Sequence, residues 1–294
     1  GDRLARDAAP ALEAPGPVEL SYPIGNRDRT VGARLGGLIG RRFGAAEPPG
    51  RVVASFEGVA GQGFGAFLAA GVELRLTGET NDYVGKGMGG GRIVVRPPAD
   101  DAGEPVLMGN TVLYGATGGE LYCAGGAGER FAVRNSGAIA VVEGTGDHPC
   151  EYMTGGTVVI LGPYGLNLGA GMTGGQAYVW DPEERMERHL NTQLVAAQRL
   201  ETADASALRE LLEQHVAQTG SVRAGELLER FDEAVGQFWR VAPRAEVARI
   251  ESDAEGTTQG TPAGVPRLAR NEPAAGRLSR AVRGPADAGP HPEP

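Results

Sequence analysis

Corners made of two or three small residues recur along the middle of the chain, each followed by a short run of β-branched or aromatic residues. The small residues that end these corners are Gly71, Gly91, Gly119, Ala138, Gly156 and Gly175. Their spacings are 20, 28, 19, 18 and 19 residues. The long interval contains residues 97–105, PPADDAGEP, whose prolines and acids are typical of a loop extruded from one repeat. Without that loop, the period holds along the whole stretch.

A period of this length is too short for a βαβ unit and too regular for a sandwich of hairpins. It fits one turn of a parallel β-helix, in which each turn pairs its backbone with the turns above and below it. Glycine at a corner supplies the positive φ or the close backbone approach that the bend requires. We therefore predict stacked parallel strands over residues 71–180, with the glycines that end the corners as structural residues.

The chain outside the repeats divides into three parts. Residues 30–44 show a helical pattern weakened by internal glycines, which predicts one short helix. From about residue 252 the chain is rich in Pro, Gly, Ala and charge and nearly without aromatics, so it is predicted to be disordered. The predicted organisation is a β-helix domain with its lead-in over 1–182, a helical region over 183–245 and a disordered tail over 246–294.

Two amphipathic helices are predicted after the repeats. The first covers residues 204–220, with Asp204 as its N-cap and Gly220 as its stop. The second covers residues 221–239, with Ser221 as its N-cap. We expect both helices to cover an open end of the β-helix, because that end would otherwise expose unpaired strand edges.

Composition restricts the location and the partners of the chain. It has 294 residues, two cysteines, no N-terminal apolar run and no long uninterrupted apolar stretch, which argues for a soluble cytoplasmic protein without disulfides. The formal net charge is -9, and the arginines are scattered among acidic residues. Such a surface repels a phosphate backbone, so we expect neither nucleic acid nor a membrane as a partner.

The stretch 143–156, EGTGDHPCEYMTGG, concentrates potentially reactive side chains at Asp147, His148, Cys150 and Glu151. A nucleophilic Cys150 would need a base oriented toward it, yet adjacent side chains on an extended segment point to opposite faces. The spacing also matches no familiar zinc arrangement. We predict a loop before a corner, in which His148 and Glu151 form local hydrogen bonds and Cys150 packs as a small hydrophobic residue.

Two glycine motifs resemble phosphate-binding loops. Gly61, Gly63 and Ala66 fit the G-x-G-x-x-A pattern of a dinucleotide fold, and Glu79 follows eighteen residues after the first glycine. Too few residues precede the next corner, however, for a helix that crosses to a parallel strand. Residues 85–90, GKGMGG, open into a β run and not into a helix whose N-terminus faces a phosphate. We expect neither motif to bind a nucleotide.

Arginine and asparagine residues near the corners have structural interpretations. Arg130 and Arg134 are expected to be fixed by a neighbouring carboxylate such as Glu129. Asn110 and Asn135 precede corners, where a short amide can hydrogen-bond the backbone of the turn.

The remaining histidines are His189, His215 and His291, and they form no cluster along the sequence. The sequence therefore predicts no catalytic, cofactor-binding or metal-ligating residue in this chain.

Three segments of the sequence closely match the motifs of a known family. They are residues 81–91 (NDYVGKGMGGG), the stretch 109–156 that begins GNTVLYGATGG, and residues 167–175 (NLGAGMTGG). They closely resemble the C-terminal, GXGXG domain of the large (alpha) subunit of glutamate synthase, from about residue 15 to 245. The resemblance implies a right-handed β-helix with a structural role, packed against catalytic domains.

The resemblance also implies an enzyme that forms two glutamates from glutamine and 2-oxoglutarate, with electrons from NADPH, ferredoxin or NADH. Its amidotransferase domain begins with a nucleophilic cysteine, and its synthase barrel binds FMN and a three-iron four-sulfur cluster. This chain begins with Gly1 and has only two cysteines, so it looks like a C-terminal piece of that subunit or a separately encoded version. The implied partners are the amidotransferase and FMN domains and the glutamate synthase small subunit, and no cofactor is expected in this chain.

The match has departures and rivals. Met88 and Gly89 replace a usual Leu-Ser pair, Gly63 replaces a usual serine and Pro149 a usual glycine. These substitutions at corners leave the domain assignment intact. A second hypothesis is a β-helix subunit of a related complex, such as N-methylglutamate synthase or formylmethanofuran dehydrogenase, and a third is an independent hydrolase that uses Cys150.

Overall fold

A computed structural model describes residues 1–99 and 103–247. The strands are β1 Gly16–Ile24, β2 Gly50–Ala60, β3 Val72–Thr80, β4 Gly89–Arg96, β5 Val106–Met108, β6 Gly118–Cys123, β7 Gly126–Ala127, β8 Ser136–Val142, β9 Thr154–Ile160, β10 Gly174–Trp180, β11 Val195–Arg199 and β12 Phe238–Pro243. The helices are α1 Asp2–Ala8, α2 Ala33–Phe43, α3 Met186–His189, α4 Thr202–Thr219, α5 Val222–Glu229 and α6 Phe231–Ala234, followed by a 3₁₀ turn over Val235–Gln237.

The protein is mostly β, with one large mixed sheet. Its order is β1-β2-β3-β4-β6-β8-β9-β10-β12-β11, and the first eight strands are parallel to their neighbours. β12 runs antiparallel to both β10 and β11. β5 and β7 form a second, two-stranded parallel sheet. The predicted parallel strands over residues 71–180 are confirmed, whereas the sequence did not indicate the antiparallel end.

The strands of the large sheet bury apolar side chains on both faces. In β8, Ala140 and Val142 join the larger core, while Val141 between them joins a smaller core on the other face. β10 follows the same pattern, with Val179 in the larger core and Tyr178 in the smaller one. Alternate residues of a strand point to opposite faces, so a run of β-branched residues without polar interruption needs cover on both sides.

The C-terminal helices supply the cover for the second face, and this corrects the prediction that they close an open end. Leu208 and Leu212 of α4 and Leu227 of α5 pack in the smaller core with Val141 and Tyr178. The edge beyond β10 is paired with β12 instead. The outer face of β6, β8, β9 and β10 is apolar and would be exposed to water without the helices. The strand edge needs no helix, because β12 already covers it.

The first of these helices confirms one predicted boundary and corrects the other. Gly220 ends α4 in the left-handed conformation, with φ 73°. Asp204 is not the N-cap: Glu201 is, and Asp204 stands at the third helical position and completes a capping box with it. The Asp204 carboxylate also accepts a hydrogen bond from the Tyr178 hydroxyl at 3.0 Å, which ties the helix to the sheet.

The second predicted helix is shorter than expected. Ser221 caps α5, since its hydroxyl accepts a hydrogen bond from the N–H of Ala224 at 3.0 Å. The helix ends before Arg230, whose φ of -116° is not helical, and α6 and a 3₁₀ turn follow. Phe238 then begins β12 and pairs with Trp180. Strand pairing therefore overrides the helical periodicity that residues 221–239 show in sequence.

The N-terminal part confirms the short helix predicted over residues 30–44, which is α2. α1 and β1 precede it and were not predicted. Residues 97–99 and 103–105 belong to neither β4 nor β5, as the loop prediction requires. The predicted tail lies outside the described residues from position 248 onward, and so does His291.

Candidate functional site

The segment around Cys150 has an unusual backbone. His148, Cys150 and Tyr152 have φ values of 61°, 59° and 53°, in the left-handed region. A non-glycine residue there costs roughly 1–2 kcal/mol. Three such residues at alternate positions need a surrounding structure that holds them in place.

Hydrogen bonds between repeats hold these residues. The N–H of His148 donates to the carbonyl oxygen of Leu166 at 2.7 Å, and the N–H of Tyr152 donates to that of Ala170 at 2.8 Å, both in the following repeat. The N–H of Cys150 donates to the carbonyl oxygen of Phe131 in the preceding repeat, at 2.8 Å. Successive donors therefore point alternately forward and back, so the corner is bonded to both neighbouring repeats.

The same backbone recurs in six consecutive corners, which we call the corner ladder. Each corner has a triplet of alternate residues with positive φ. The six triplets are Gly63, Gly65 and Phe67; Tyr83, Gly85 and Gly87; Thr111, Leu113 and Gly115; Arg130, Ala132 and Arg134; His148, Cys150 and Tyr152; Asn167, Gly169 and Gly171. Only seven of these eighteen residues are glycines. Sequence reasoning missed the ladder for that reason, because two of its triplets contain no glycine at all.

The glycines predicted from the repeat stand elsewhere: Gly71 directly precedes β3, and the other four lie among the first three residues of their strands. Their φ values are all positive: Gly71 82°, Gly91 77°, Gly119 93°, Gly156 87° and Gly175 78°. At Gly156 an added Cβ would lie 2.3 Å from the carbonyl oxygen of Ala138, so both the backbone angle and the available space require glycine. Ala138 itself has no positive φ.

Cys150 is not prepared for nucleophilic chemistry. Its side chain is fully buried in the larger core. Burial raises the pKa of the Cys150 thiol to about 12, so the thiol stays protonated at neutral pH. Among the residues that the structure describes, no hydrogen bond joins this thiol to a base. The only other cysteine, Cys123, is also free and buried, and burial raises the pKa of its thiol as well.

The polar neighbours of Cys150 bind other parts of the stack. The Asp147 carboxylate accepts a hydrogen bond from the N–H of Leu166 at 2.7 Å. His148 Nε2 lies 3.3 Å from the side-chain nitrogen of Asn167. Glu151 forms an ion pair with the Arg130 Nε at 2.7 Å. The local hydrogen bonds predicted for His148 and Glu151 therefore reach across repeats, and the structure does not bring Asp147, His148 and Cys150 into a catalytic arrangement.

The arginines and asparagines of the corners also serve the stack. Arg130 has a carboxylate partner, as expected, but the partner is Glu151 in the next repeat and not Glu129. Arg134 lies over the ring of Tyr152, with its Cζ 5.9 Å from the ring centroid. Asn135 is buried, accepts hydrogen bonds from two turn amides and donates to the carbonyl oxygen of Ala138 at 2.9 Å, which confirms its predicted role. The Asn110 side chain likewise accepts the N–H of Glu129.

A second polar cluster was missed by sequence reasoning. Glu143, on the sheet side, meets His215 Nε2 at 3.2 Å and accepts a hydrogen bond from the Ser221 hydroxyl at 2.5 Å. Burial opposes ionisation of Glu143, but the hydrogen bonds from His215 and Ser221, with the charge of Arg223, lower its pKa. Leu208, Leu212 and His215 have the spacing of one helical face, and that face of α4 is buried. The partner of His215, 72 residues away, left no signal in the sequence.

The Glu143 cluster is not a catalytic triad. In a Ser-His-acid triad the histidine stands between the other two groups, whereas here the carboxylate does. Ser221 also caps α5, and Thr219 donates to the His215 carbonyl oxygen. The Glu143 cluster therefore links α4 and the N-terminus of α5 to the sheet. His189 has a similar local role, since its Nδ1 lies 2.9 Å from the carbonyl oxygen of Tyr164.

The two glycine motifs lie on the ladder. Residues 62–67 and 84–87 form turns that contain most of the two motifs, and the chain then continues into β3 and β4 without an intervening helix. Within residues 1–99 and 103–247, no group of three or more His, Cys, Asp or Glu side chains is arranged to hold a metal ion. None of the helices in that part of the chain has the length and apolar character that crossing a bilayer requires.

Parallel strands joined by stacked corners, with polar side chains that bond neighbouring corners, define a domain built of stacked β repeats. The model of the GXGXG motif family matches residues 1–244, and the chain belongs to that family. The chain is 52% identical over 233 residues to the ferredoxin-dependent glutamate synthase of Pyropia yezoensis. These 233 residues are 78% of this chain and 15% of that protein.

Two further relatives have the same relationship to the chain. A ferredoxin-dependent glutamate synthase 2 of Synechocystis is 46% identical over 244 residues, or 82% of this chain and 16% of the relative. The glutamate synthase [NADPH] large chain of Azospirillum brasilense is 46% identical over 254 residues, or 85% of this chain and 17% of the relative. The chain thus spans about a sixth of the length of the curated relatives it matches.

Proposed function

We propose that this chain is a noncatalytic structural domain of glutamate synthase. The family match and the similarity to glutamate synthases of two electron-donor types support the parent enzyme. The observation that carries the noncatalytic part is the use of Asp147, His148, Cys150 and Glu151 as stack contacts or core. The parent reaction would form two glutamates from glutamine, 2-oxoglutarate and reductant.

The proposed architecture is a right-handed parallel β-helix over residues 1–182. It is supported by parallel strands that are neighbours in chain order and by the corner ladder, which stacks in the same order. The right hand follows the strong preference of parallel crossover connections within one sheet. We propose residues 183–245 as the helical region, which adds β11 and β12 to the same sheet, and residues 246–294 as a disordered tail.

Gly71 before β3 and the glycines near the starts of β4, β6, β9 and β10 are proposed to be structural, and no residue of the chain is proposed to bind a cofactor or metal. FMN and the iron-sulfur cluster would belong to the rest of the parent enzyme. Its amidotransferase and FMN domains would be the partners, with the small subunit as a further one. We propose the cytoplasm as the compartment, where two buried free thiols remain reduced.

Ammonia release from glutamine tests the noncatalytic role. We expect the purified chain to release no ammonia, because the thiol of Cys150, the candidate nucleophile, is buried and protonated. We also expect it to leave the fluorescence of added FMN unchanged, because no flavin site is proposed in this chain. Cys150→Ala is the matched variant, and the isolated amidotransferase domain of the parent enzyme is the positive control. Ammonia release by the chain that Cys150→Ala abolishes would contradict the proposal.

A further inference from the structure

The corner ladder carries a concentration of exposed apolar surface. Eight large hydrophobic side chains are exposed in the described part of the chain, and four of them lie on this ladder or next to it. They are Phe67, Tyr83, Tyr152 and Leu166, with exposed fractions of 56%, 39%, 51% and 48%. Aromatic side chains gathered on one face are typical of protein interfaces, where they supply most of the binding energy.

A single ammonium group lies among these rings. Lys86 is the only lysine of the chain, against 27 arginines. Its Nζ is 5.3 Å from the ring centroid of Tyr83 and 5.8 Å from that of Tyr114, within the range of a cation-π contact. In the described residues it has no carboxylate partner. The same holds for Arg134, which lies over the ring of Tyr152.

The carboxylates nearby are largely occupied. Asp82 accepts the N–H of Asn110 at 2.8 Å, and Asp147 accepts a backbone N–H in the next repeat. Glu151 is paired with Arg130. Glu129 is the exposed acid of this region. In the described residues none of these acids forms an ion pair with Lys86 or Arg134, so both cations are available to a carboxylate of a partner.

The rings are also held in position. A Cβ added to Gly87 would lie 2.6 Å from the Phe67 ring, and one added to Gly171 would lie 2.4 Å from the Tyr152 ring. Each ring thus packs on the bare backbone of the next corner. A surface whose side chains are already fixed loses little conformational entropy on binding.

We propose that this face docks an acidic protein surface carried by the catalytic part of glutamate synthase. We name it the aromatic-cationic surface, formed by Phe67, Tyr83, Lys86, Tyr114, Arg134 and Tyr152. The inference rests on the proposed function and adds the location and the chemistry of the contact. A second copy of the chain is disfavoured as the occupant, because a two-fold contact of this surface with itself would join two surfaces that each carry Lys86 and Arg134 and no acid among their six residues.

Binding of variants tests the surface. The ligand is the amidotransferase and FMN domains of the same organism's glutamate synthase, expressed as one polypeptide, and the readout is the Kd from titration calorimetry. Lys86→Glu combined with Tyr152→Asn is expected to weaken binding about tenfold or more. Asparagine tolerates the left-handed backbone at position 152. Lys86→Arg keeps the charge and should bind like the wild type, and so should Arg6→Glu, a charge reversal on exposed α1.

Zero-length carbodiimide coupling gives a second readout that does not depend on variants. It joins amines to carboxylates, and the amines of this chain are Lys86 and the N-terminal amine, so every link through an amine of this chain is assigned to one of two positions. We expect Lys86 linked to an Asp or Glu of the catalytic polypeptide. Binding unchanged in the double variant would overturn this surface and leave the proposed function standing. Lys86 linked to a second copy of the chain would overturn the assigned occupant, and absence of any binding would overturn both proposals.

Discussion

The corner ladder and the helical layer cover opposite faces of the same sheet, and they treat the left-handed backbone differently. In the ladder, eleven of the eighteen residues with positive φ are not glycine. In the helical layer, from α4 to β12, the one residue with positive φ is Gly220, at the end of a helix. The difference teaches that hydrogen bonds to two neighbouring repeats can hold an ordinary residue in this conformation, whereas an isolated helix end uses glycine.

The two layers also differ in the contacts that hold them. Ladder contacts join neighbouring repeats, such as Cys150 to Phe131, through the backbone. Contacts of the helical layer join distant side chains, such as His215 and Glu143, which are 72 residues apart. Substitutions should therefore damage the ladder through backbone geometry and the helical layer through lost side-chain packing.

The largest effect is expected for Gly156→Val, at the third residue of β9. The substitution combines a forbidden φ of 87° with an overlap against the carbonyl oxygen of Ala138, so we expect a loss of more than about 4 kcal/mol in the free energy of unfolding. Gly220→Ala is the matched control in the helical layer. It also has positive φ but nothing within 4 Å of its Cβ, and should cost only about 1 kcal/mol. Equal losses in urea unfolding would contradict this contrast.

A smaller effect is expected for Leu212→Ala in the helical layer. Leu212 is fully buried against the outer face of the sheet, and its truncation leaves a cavity. We expect a loss of about 3 kcal/mol. Cys150→Ala in the ladder should cost only about 1 kcal/mol, because it removes one atom and leaves the backbone bonds intact. A cost for Cys150→Ala equal to that of Leu212→Ala would show that the ladder depends on side-chain packing.

The smallest of the three effects concerns Glu143, which fastens the two layers together. Glu143→Gln should cost about 2 kcal/mol at neutral pH, because it removes charge-assisted hydrogen bonds. The folded pKa of Glu143 lies below its reference value of 4.5, so its contribution is fully present above that pH and is lost as pH falls through the folded pKa. The difference between wild type and variant in thermal unfolding should therefore shrink below pH 4.5. A difference that grows on acidification would contradict this assignment.

The sequence predicts the parallel strands of the sheet better than the helices that cover them. The nineteen-residue spacing predicts successive parallel strands because each repeat contacts only its neighbours in the chain. The outer-face packing of α4 and the pairing of β12 with β10 depend on contacts between distant residues, which periodicity does not encode. Asp204 was misassigned as N-cap because Glu201, three residues earlier, completes the capping box with it.

The candidate site was predictable in its character but not in its geometry. The residue types around Cys150 are those of reactive sites, but the direct adjacency of the side chains and their spacing indicated a loop before a corner. The left-handed triplet at His148, Cys150 and Tyr152 left no signal, because side chains that rarely adopt positive φ occupy it. The tertiary stack imposes a conformation that local propensity opposes.

Hydrogen exchange of backbone amides tests the central claim most directly, which is that residues 147–152 form a bonded rung of the ladder and not an open active-site loop. The amides of His148, Cys150 and Tyr152 donate to neighbouring repeats at 2.7 to 2.8 Å. We predict that they exchange as slowly as the amides of Val158 and Ile160 in β9, since both sets open only with the stack. Exchange of the three amides within seconds, while β9 stays protected, would contradict the account.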